Sequence, residues 1–367
     1  MERNRYYYFL FAPLLIFSSC QKELLVEEFP NTPTGNFDAL WSEYDRTYAA
    51  FEAKNINWDS LYPIYRNRID DNSTEYELHN ALTGLLSELK DGHIQLTASY
   101  FKRFYSAGIK TLYPDSKLYE NAKIINDLFD LDKKEYLTHI QISKNFMSAY
   151  VSNSKSAINI GYLFIPTFSY DSFDWDFVEK ALDNFKNADG IVLDLRFNGG
   201  GATETFLKLL NKLSDKKRLY IRSRLRNGPK QNDYTGIFDH YYEPVYGTFE
   251  PKPVVLLVNR FSGSSSEHFT LGIQSMPYGI VVGDTTYGAL STVLEKILPN
   301  GWSFRTSPQV LCDSTGNFLK DSKGRYPDGV GLAPDIYVVN YYEDIKNKKD
   351  YILERAIKVI DEKFANP

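Results

Sequence analysis

Cysteine is almost missing from this sequence: Cys20 and Cys312 are the only two in 367 residues. One pair cannot build a disulfide framework, so the fold has to rest on an apolar core. A basic excess is missing as well. Forty-two lysines and arginines face 47 acids, for a net charge of −5. No segment concentrates the positive charge that phosphates require, which excludes a nucleic-acid partner. The five histidines (His79, His93, His139, His240 and His268) stand in no metal-ligand spacing with cysteine or carboxylate. Asp-Ser-Thr-Gly at 313–316 is turn chemistry and too short for a calcium loop. Neither a metal nor a cofactor is expected. Past residue 17, no apolar run is long enough to cross a bilayer. Hydrophobic residues make up 43% of the chain, enough for the core of one large domain or two ordinary ones.

The first twenty residues carry their own signal. Arg3 and Arg5 precede an apolar run over 6–17, too short for a comfortable span, and then Ser18-Ser19-Cys20. This resembles a bacterial lipoprotein signal. It implies a signal peptide over 1–19, lipidation of Cys20 and a polar tether over 20–35. An ordinary cleaved secretory signal is the alternative reading of the same residues. Either reading takes the chain out of the cytoplasm. The lipoprotein reading places it on a membrane, expectedly the outer one, facing the periplasm or the cell surface.

The remainder divides by periodicity. Phe37, Leu40, Trp41, Tyr44, Tyr48 and Phe51 recur at helical spacing. Thr74-x-x-Glu77 is a capping-box pattern ahead of Leu78, Leu82, Leu85, Leu86 and Leu89. Residues 36–100 therefore read as a helical subdomain. Residues 101–155 lack a firm period and read as a connecting region with some short strands or helices. From there the pattern alternates: strands at 160–165, 191–195, 254–258 and 280–282, with helices at 171–188, 202–213 and roughly 265–275. Pro299-Asn300-Gly301 marks a hairpin turn. Strands alternating with helices predict an α/β core over 156–340, closed by an amphipathic helix within 341–367.

Two stretches carry candidate chemistry. Asn-Arg-Phe-Ser-Gly-Ser-Ser-Ser-Glu-His at 259–268 follows the strand at 254–258 and opens a helix. A strand, a small-residue turn and a helix present a hydroxyl where unpaired N–H groups point outward. The same serines also serve as ordinary helix caps. Leu-Asp-Leu-Arg-Phe-Asn-Gly-Gly-Gly at 193–201 runs a strand into three glycines. No Gly-Lys-Ser/Thr follows, so a phosphate loop is excluded. An oxyanion hole or a plain tight turn remains.

Together these two stretches resemble the tail-specific, or C-terminal-processing, serine peptidases, the family that includes the tricorn core and retinoid-binding-protein-like repeats. Three further motifs extend the likeness: Leu89-Lys90-Asp91-Gly92-His93, Gly283-Asp284-Thr285-Thr286-Tyr287-Gly288, and Asp328-Gly329-Val330-Gly331-Leu332-Ala333-Pro334-Asp335. The resemblance implies a crotonase/ClpP-like core of β-β-α units. It implies serine peptidase activity on polypeptides through an acyl-enzyme, with Ser264 as nucleophile. One branch of the family activates its serine with a lysine, but here that position is Ala289, and Lys296 lies outside the motif. The tricorn-like branch implies His93 as base and Asp328 as its carboxylate partner. Backbone N–H groups of Gly199 or Gly200 and of Ser265 would hold the oxyanion. His268, one turn past Ser264, is a rival base. A full PDZ domain would be cramped between His93 and the strand at 160, so it is expected to be absent or reduced. The retinoid-binding-like members imply an alternative, a non-catalytic binding protein for an apolar ligand or peptide.

Overall fold

The structure is a computed structural model that describes residues 28–98, 103–106, 122–152, 158–245 and 249–365. The signal segment, Cys20 and the first half of the tether, residues 20–27, lie outside these residues, and the tether expected to run to residue 35 ends earlier, at the N-cap Thr32 of the first helix. No helix among the described residues is long and apolar enough to cross a membrane.

The helical subdomain comprises α1 (Pro33–Thr47), α2 (Trp58–Arg66) and α3 (Glu75–Ser87). Thr32 caps α1, with Pro33 at the first helical position. The capping box of α3 forms as its sequence predicts: Thr74 N–H donates to Glu77 at 2.7 Å, and Glu77 N–H to the Thr74 hydroxyl at 3.3 Å. The strands β1 (Gln95–Ala98) and β2 (Arg103–Ser106) follow.

Residues of the connecting region form α4 (Ala122–Glu135) and the antiparallel strands β3 (Leu137–Ser143) and β4 (Phe146–Val151). These strands extend the central sheet. The sequence predicts some short strands or helices here without placing them: β3 is a largely exposed edge strand with no apolar face to set a period, and β4 is buried almost throughout and so does not alternate.

Next come β5 (Ile160–Phe164), α5 (Trp175–Asn184), β6 (Gly190–Asp194), α6 (Thr203–Lys212), β7 (Arg218–Leu225), β8 (Phe238–Tyr242), β9 (Val254–Val258), α7 (Ser265–Gln274) and β10 (Gly279–Gly283). The chain ends with β11 (Leu294–Ile297), β12 (Ser303–Thr306), β13 (Gln309–Cys312), β14 (Ile336–Tyr337), α8 (Tyr342–Lys346) and α9 (Tyr351–Ala365). The single C-terminal helix expected from sequence is thus two, separated by a break around Lys348, whose φ is +58°.

The central sheet runs β14-β10-β9-β6-β5-β4-β3. Its pairings are parallel from β14 to β5 and antiparallel from β5 to β3. Strands β5, β6 and β9 are buried along their whole length, as parallel strands covered on both faces should be. Alternate residues serve two cores: Val254, Leu256 and Val258 pack into one, Val255 and Leu257 into the other. A second sheet, β11-β12-β1-β2, carries the helical subdomain, and a third, β13-β7-β8, lies beside it. The result is a mixed α/β protein whose β5, β6, β9 and β10 end on one side.

Candidate active site

The end of β6 first builds a buried ion cluster. Arg196 is fully buried, and its guanidinium reaches three carboxylates: Asp194 at 2.6 Å, Asp350 at 2.6 Å and Asp132 at 3.0 Å. These belong to β6, the lead-in to α9, and α4. Burial pushes the Asp132 carboxyl well above its usual range, helped by Asp350. Burial opposes ionisation of Asp350 too, but Arg196 and Asn340 hold its carboxyl below the usual value. The arginine of the Asp-Leu-Arg motif is therefore a bolt between elements.

Three residues on, the chain turns into the glycine loop, and the serine-rich turn docks on it. Three of the four serine hydroxyls there are spent on this strand and loop. Ser262 donates to Leu195 O at 2.8 Å, Ser265 to Gly201 O at 2.6 Å and Ser266 to Asn198 O at 2.9 Å. Ser264 is the one whose hydroxyl bonds no carbonyl of that segment, and it is partly exposed. Its backbone sits at φ 56°, ψ −120°, a region a side-chain-bearing residue occupies only at a cost of about 1–3 kcal/mol. Gly200, at φ +101°, is pressed against it. A Cβ there would lie 2.7 Å from Ser264 Cβ and 2.9 Å from Ser265 N, so only glycine fits. The Gly200 N–H already donates to Asn198 Oδ1 at 2.8 Å. Gly199 is exposed beside it, and the Ser265 N–H sits at the first position of α7, where no intrahelical acceptor exists.

Glu267 braces this turn. Its buried carboxylate accepts from Ser264 N at 2.9 Å, Ala289 N at 2.8 Å, Gly288 N at 2.8 Å and the Thr286 hydroxyl at 2.5 Å. Burial pushes its carboxyl up to about 7 against the pull of the hydrogen bonds from Thr286, Ala289 and Gly288.

Gly288 then joins the remaining pieces. Its carbonyl accepts from Gly92 N at 3.2 Å and from Gly329 N at 2.7 Å. The residues next to Ser264, His93 and Asp328 thus converge on one loop, at 286–291. No described side-chain hydrogen bond joins the three directly. Asp328 is buried and accepts from Leu290 N at 2.6 Å, Ser291 N at 3.3 Å and the Ser291 hydroxyl. Burial, then the nearby Asp91, push its carboxyl up to about 7. His93 meets the backbone of Ser291, and burial lowers its pKa. Its Nδ1 is buried without a hydrogen-bond partner among the described residues. Ser291 therefore lies between the carboxylate and the imidazole.

Lys54 pins the same region from behind. Its ammonium donates to Lys90 O and to Asp328 O, each at 2.8 Å. Asp91, fully buried, accepts from the Tyr48 hydroxyl at 2.8 Å and from His93 N at 2.9 Å. Sequence reasoning missed Ser291, Lys54 and the part played by Gly288. Ser291 stands two residues past the position of the absent family lysine, but nothing in its local pattern marks it.

The other candidates fall elsewhere. His268 Nε2 is bonded to Leu290 O at 2.8 Å, and its ring stacks on Phe206. Burial drops its pKa to about 4. Lys296 pairs with Glu43 at 3.5 Å on β11. His240 bonds the Ser223 hydroxyl at 2.7 Å. Among the described residues, no group of three His, Cys, Asp or Glu is arranged to hold a metal.

Comparison with known proteins agrees with this architecture. Residues 159–338 match the model of peptidase family S41, and residues 29–87 the tricorn protease C1 domain. A tricorn protease homolog of Saccharolobus solfataricus is 22% identical over 369 residues, covering 83% of this chain and 32% of that protein. The carboxy-terminal processing protease CtpB of Bacillus subtilis is 30% identical over 182 residues, covering 49% of this chain and 35% of its own. This chain thus spans about a third of the length of these relatives. A crystal structure of a peptidase candidate from Parabacteroides merdae superposes with a TM-score of 0.74 at 28% identity, covering 90% of this chain and 97% of that one. Mature CPAF gives 0.67 at 13%, a likeness of fold, over 90% and 96%. Residues 159–338 are thus a peptidase family S41 domain.

Proposed function

We propose that this protein is a serine endopeptidase that cleaves polypeptides through an acyl-enzyme. One observation carries the reading: three serine hydroxyls lock the turn to the glycine loop, while Ser264 stands apart from them on a strained backbone. That geometry is expensive for a cap and useful for a nucleophile.

Ser264 Oγ attacks the peptide carbonyl. His93 takes its proton and returns it to the leaving amine. The developing oxyanion lies against the N–H groups of Ser265 and Gly199; Gly200, whose N–H is engaged by Asn198, shapes the loop rather than donating. Asp328 completes a Ser-His-Asp set through Ser291, whose N–H and hydroxyl it accepts. An ionised Asp328 orients Ser291, and the Ser291 backbone holds the imidazole. Water then releases the acyl group. No cofactor enters this scheme.

The finer description of the core as crotonase/ClpP-like belongs to the same proposal, as do export and lipidation at Cys20, which rest on the sequence of residues 1–20 alone. Metabolic labelling with a radioactive fatty acid, lost in Cys20→Ala, tests the anchor. For the chemistry, a fluorophosphonate probe should label wild type and leave Ser264→Ala unlabelled. Equal labelling, or none in either, removes Ser264 as nucleophile and returns attention to an apolar-ligand carrier on the same fold.

A further inference from the structure

A groove of about 390 Å³ opens among α4, the β3–β4 turn and the end of β5. That volume lies in the range of small-ligand sites. Its apolar wall includes Phe129, Phe164, Pro166 and Phe197; the Phe129 ring centroid stands 4.3 Å from that of Phe164 and 6.1 Å from that of Phe197. Two cations, Lys133 and Lys144, line it, and no acid does among the described residues. Lys133 is paired with Asp130 at 2.7 Å. Lys144, exposed at the hairpin turn with φ +52°, forms no ion pair with a described residue. The nearby Asp174 is engaged by the Ser143 hydroxyl at 2.7 Å and by Phe177 N–H at the start of α5.

The groove borders the glycine loop. Phe197 stands two residues before Gly199 at φ +73°, its N–H donating to Asn259 Oδ1 at 3.2 Å. Pro166 precedes Thr167, whose hydroxyl lies 3.4 Å from Gly200 O, and Phe168 N–H donates to that same carbonyl at 2.8 Å. A polypeptide with its scissile carbonyl beside Gly199 would therefore lay a neighbouring residue across Phe197.

We propose that this groove is a substrate subsite for a peptide segment with an apolar side chain next to a carboxylate, the side chain on the aromatic wall and the carboxylate at Lys144. The charge pattern argues for it: an apolar wall alone takes any hydrophobe, whereas an exposed cation at its mouth favours an anion, since Lys144 is in no salt bridge with a described residue and the one acid close enough to feel its charge, Asp174, is already engaged by Ser143 and the Phe177 N–H. The carboxylate comes from the chain terminus or from an acidic side chain. The inference rests on the peptidase reading.

Binding of fluorescein-labelled peptides to Ser264→Ala protein, read by anisotropy, tests it without turnover. Four probes share one sequence: Leu at the end with a free carboxylate, the same peptide amidated, Leu followed by Asp and amidated, and Ser in place of Leu. The carboxylate-bearing probes should bind about 5-fold tighter than the amide, and the Ser probe should lose about 10-fold or more. Lys144→Glu, a surface change, should cancel or reverse the carboxylate preference, and Lys133→Glu should weaken it. The first and third probes separate terminal from side-chain carboxylate. Equal binding of acid and amide, indifference to Lys144→Glu, or no binding of any probe overturns the subsite. Fluorophosphonate labelling of wild type reports the peptidase reading separately, so the two failures are distinguishable.

Discussion

The Arg196 cluster and the Ser264 cluster begin on the same stretch of chain, yet they are finished differently. Around Arg196 the buried charges are spent on one another: the guanidinium serves three carboxylates, Asp194 also takes the Tyr162 hydroxyl at 2.7 Å, and Asp350 takes Asn340 at 2.8 Å. Around Ser264 the supporting groups are saturated but the central ones are not. Glu267, Asp328 and the flanking serines have their partners, while His93 Nδ1 has none and the Ser264 hydroxyl stays clear of the loop carbonyls. Each cluster leaves one buried polar atom without a partner among the described residues, Asp132 Oδ1 in the first and His93 Nδ1 in the second. The contrast therefore rests on the serines: three hydroxyls are bonded to the loop, while Ser264 stands partly exposed on a strained backbone.

The sharpest way to break this contrast is Ser264→Ala. It should reduce peptide hydrolysis by about 10⁴-fold or more while urea unfolding stays within about 1 kcal/mol of wild type. Arg196→Met should do the reverse. Removing the cation leaves buried carboxylates uncompensated, which costs about 3–5 kcal/mol, and the folded fraction should still label with a fluorophosphonate. If Arg196→Met leaves stability untouched, the two clusters do not differ in the way described.

Much of this division was legible beforehand. The capping box at Thr74 and the buried strand at 254–258 follow from local pattern, whereas Ser264, His93 and Asp328 are named only by the resemblance to family motifs, and their roles belong to the proposal. What could not be read is what long-range contact decides. Which serine hydroxyls in Ser-Gly-Ser-Ser-Ser are tied down depends on carbonyls some 65 residues away, and three of the four bond them while Ser264 does not. Ser291 and Lys54 gain their roles only when residues 54, 90 and 328 meet. The hairpin β3–β4 could not be placed because the exposed edge strand β3 carries no periodic signal and the buried β4 does not alternate.

Lys54→Met sharpens the comparison from within the open cluster. Lys54 is the cation facing Asp328 there; Asp91 repels it, the Tyr48 and Tyr326 hydroxyls stand nearby, and Glu267 adds a further negative group. Burial and Asp91 have already raised the Asp328 carboxyl to about 7. The ionised form is the one that accepts both Ser291 groups, so kcat/KM should fall as pH drops through about 7. Removing Lys54 removes a charge that favours ionisation, so this acidic limb should move to higher pH, costing up to about 10-fold at neutral pH per unit of displacement. Lys54→Arg should restore much of it. A lower kcat/KM with an unmoved limb would make Lys54 a mere prop.

The smallest effect isolates the strain. Ser264→Gly removes the hydroxyl, as alanine does, but also relieves φ 56°, ψ −120°, which glycine adopts without a Cβ penalty. Both variants should be inactive. They should differ in stability, glycine above alanine by about 1 kcal/mol, in spite of the larger chain entropy glycine loses on folding. Chemical denaturation of the pair side by side reads that difference. A glycine variant no more stable than the alanine one would mean that the backbone at this turn rests at ease, and that Glu267 and the three bound serines hold Ser264 in place without storing any strain there.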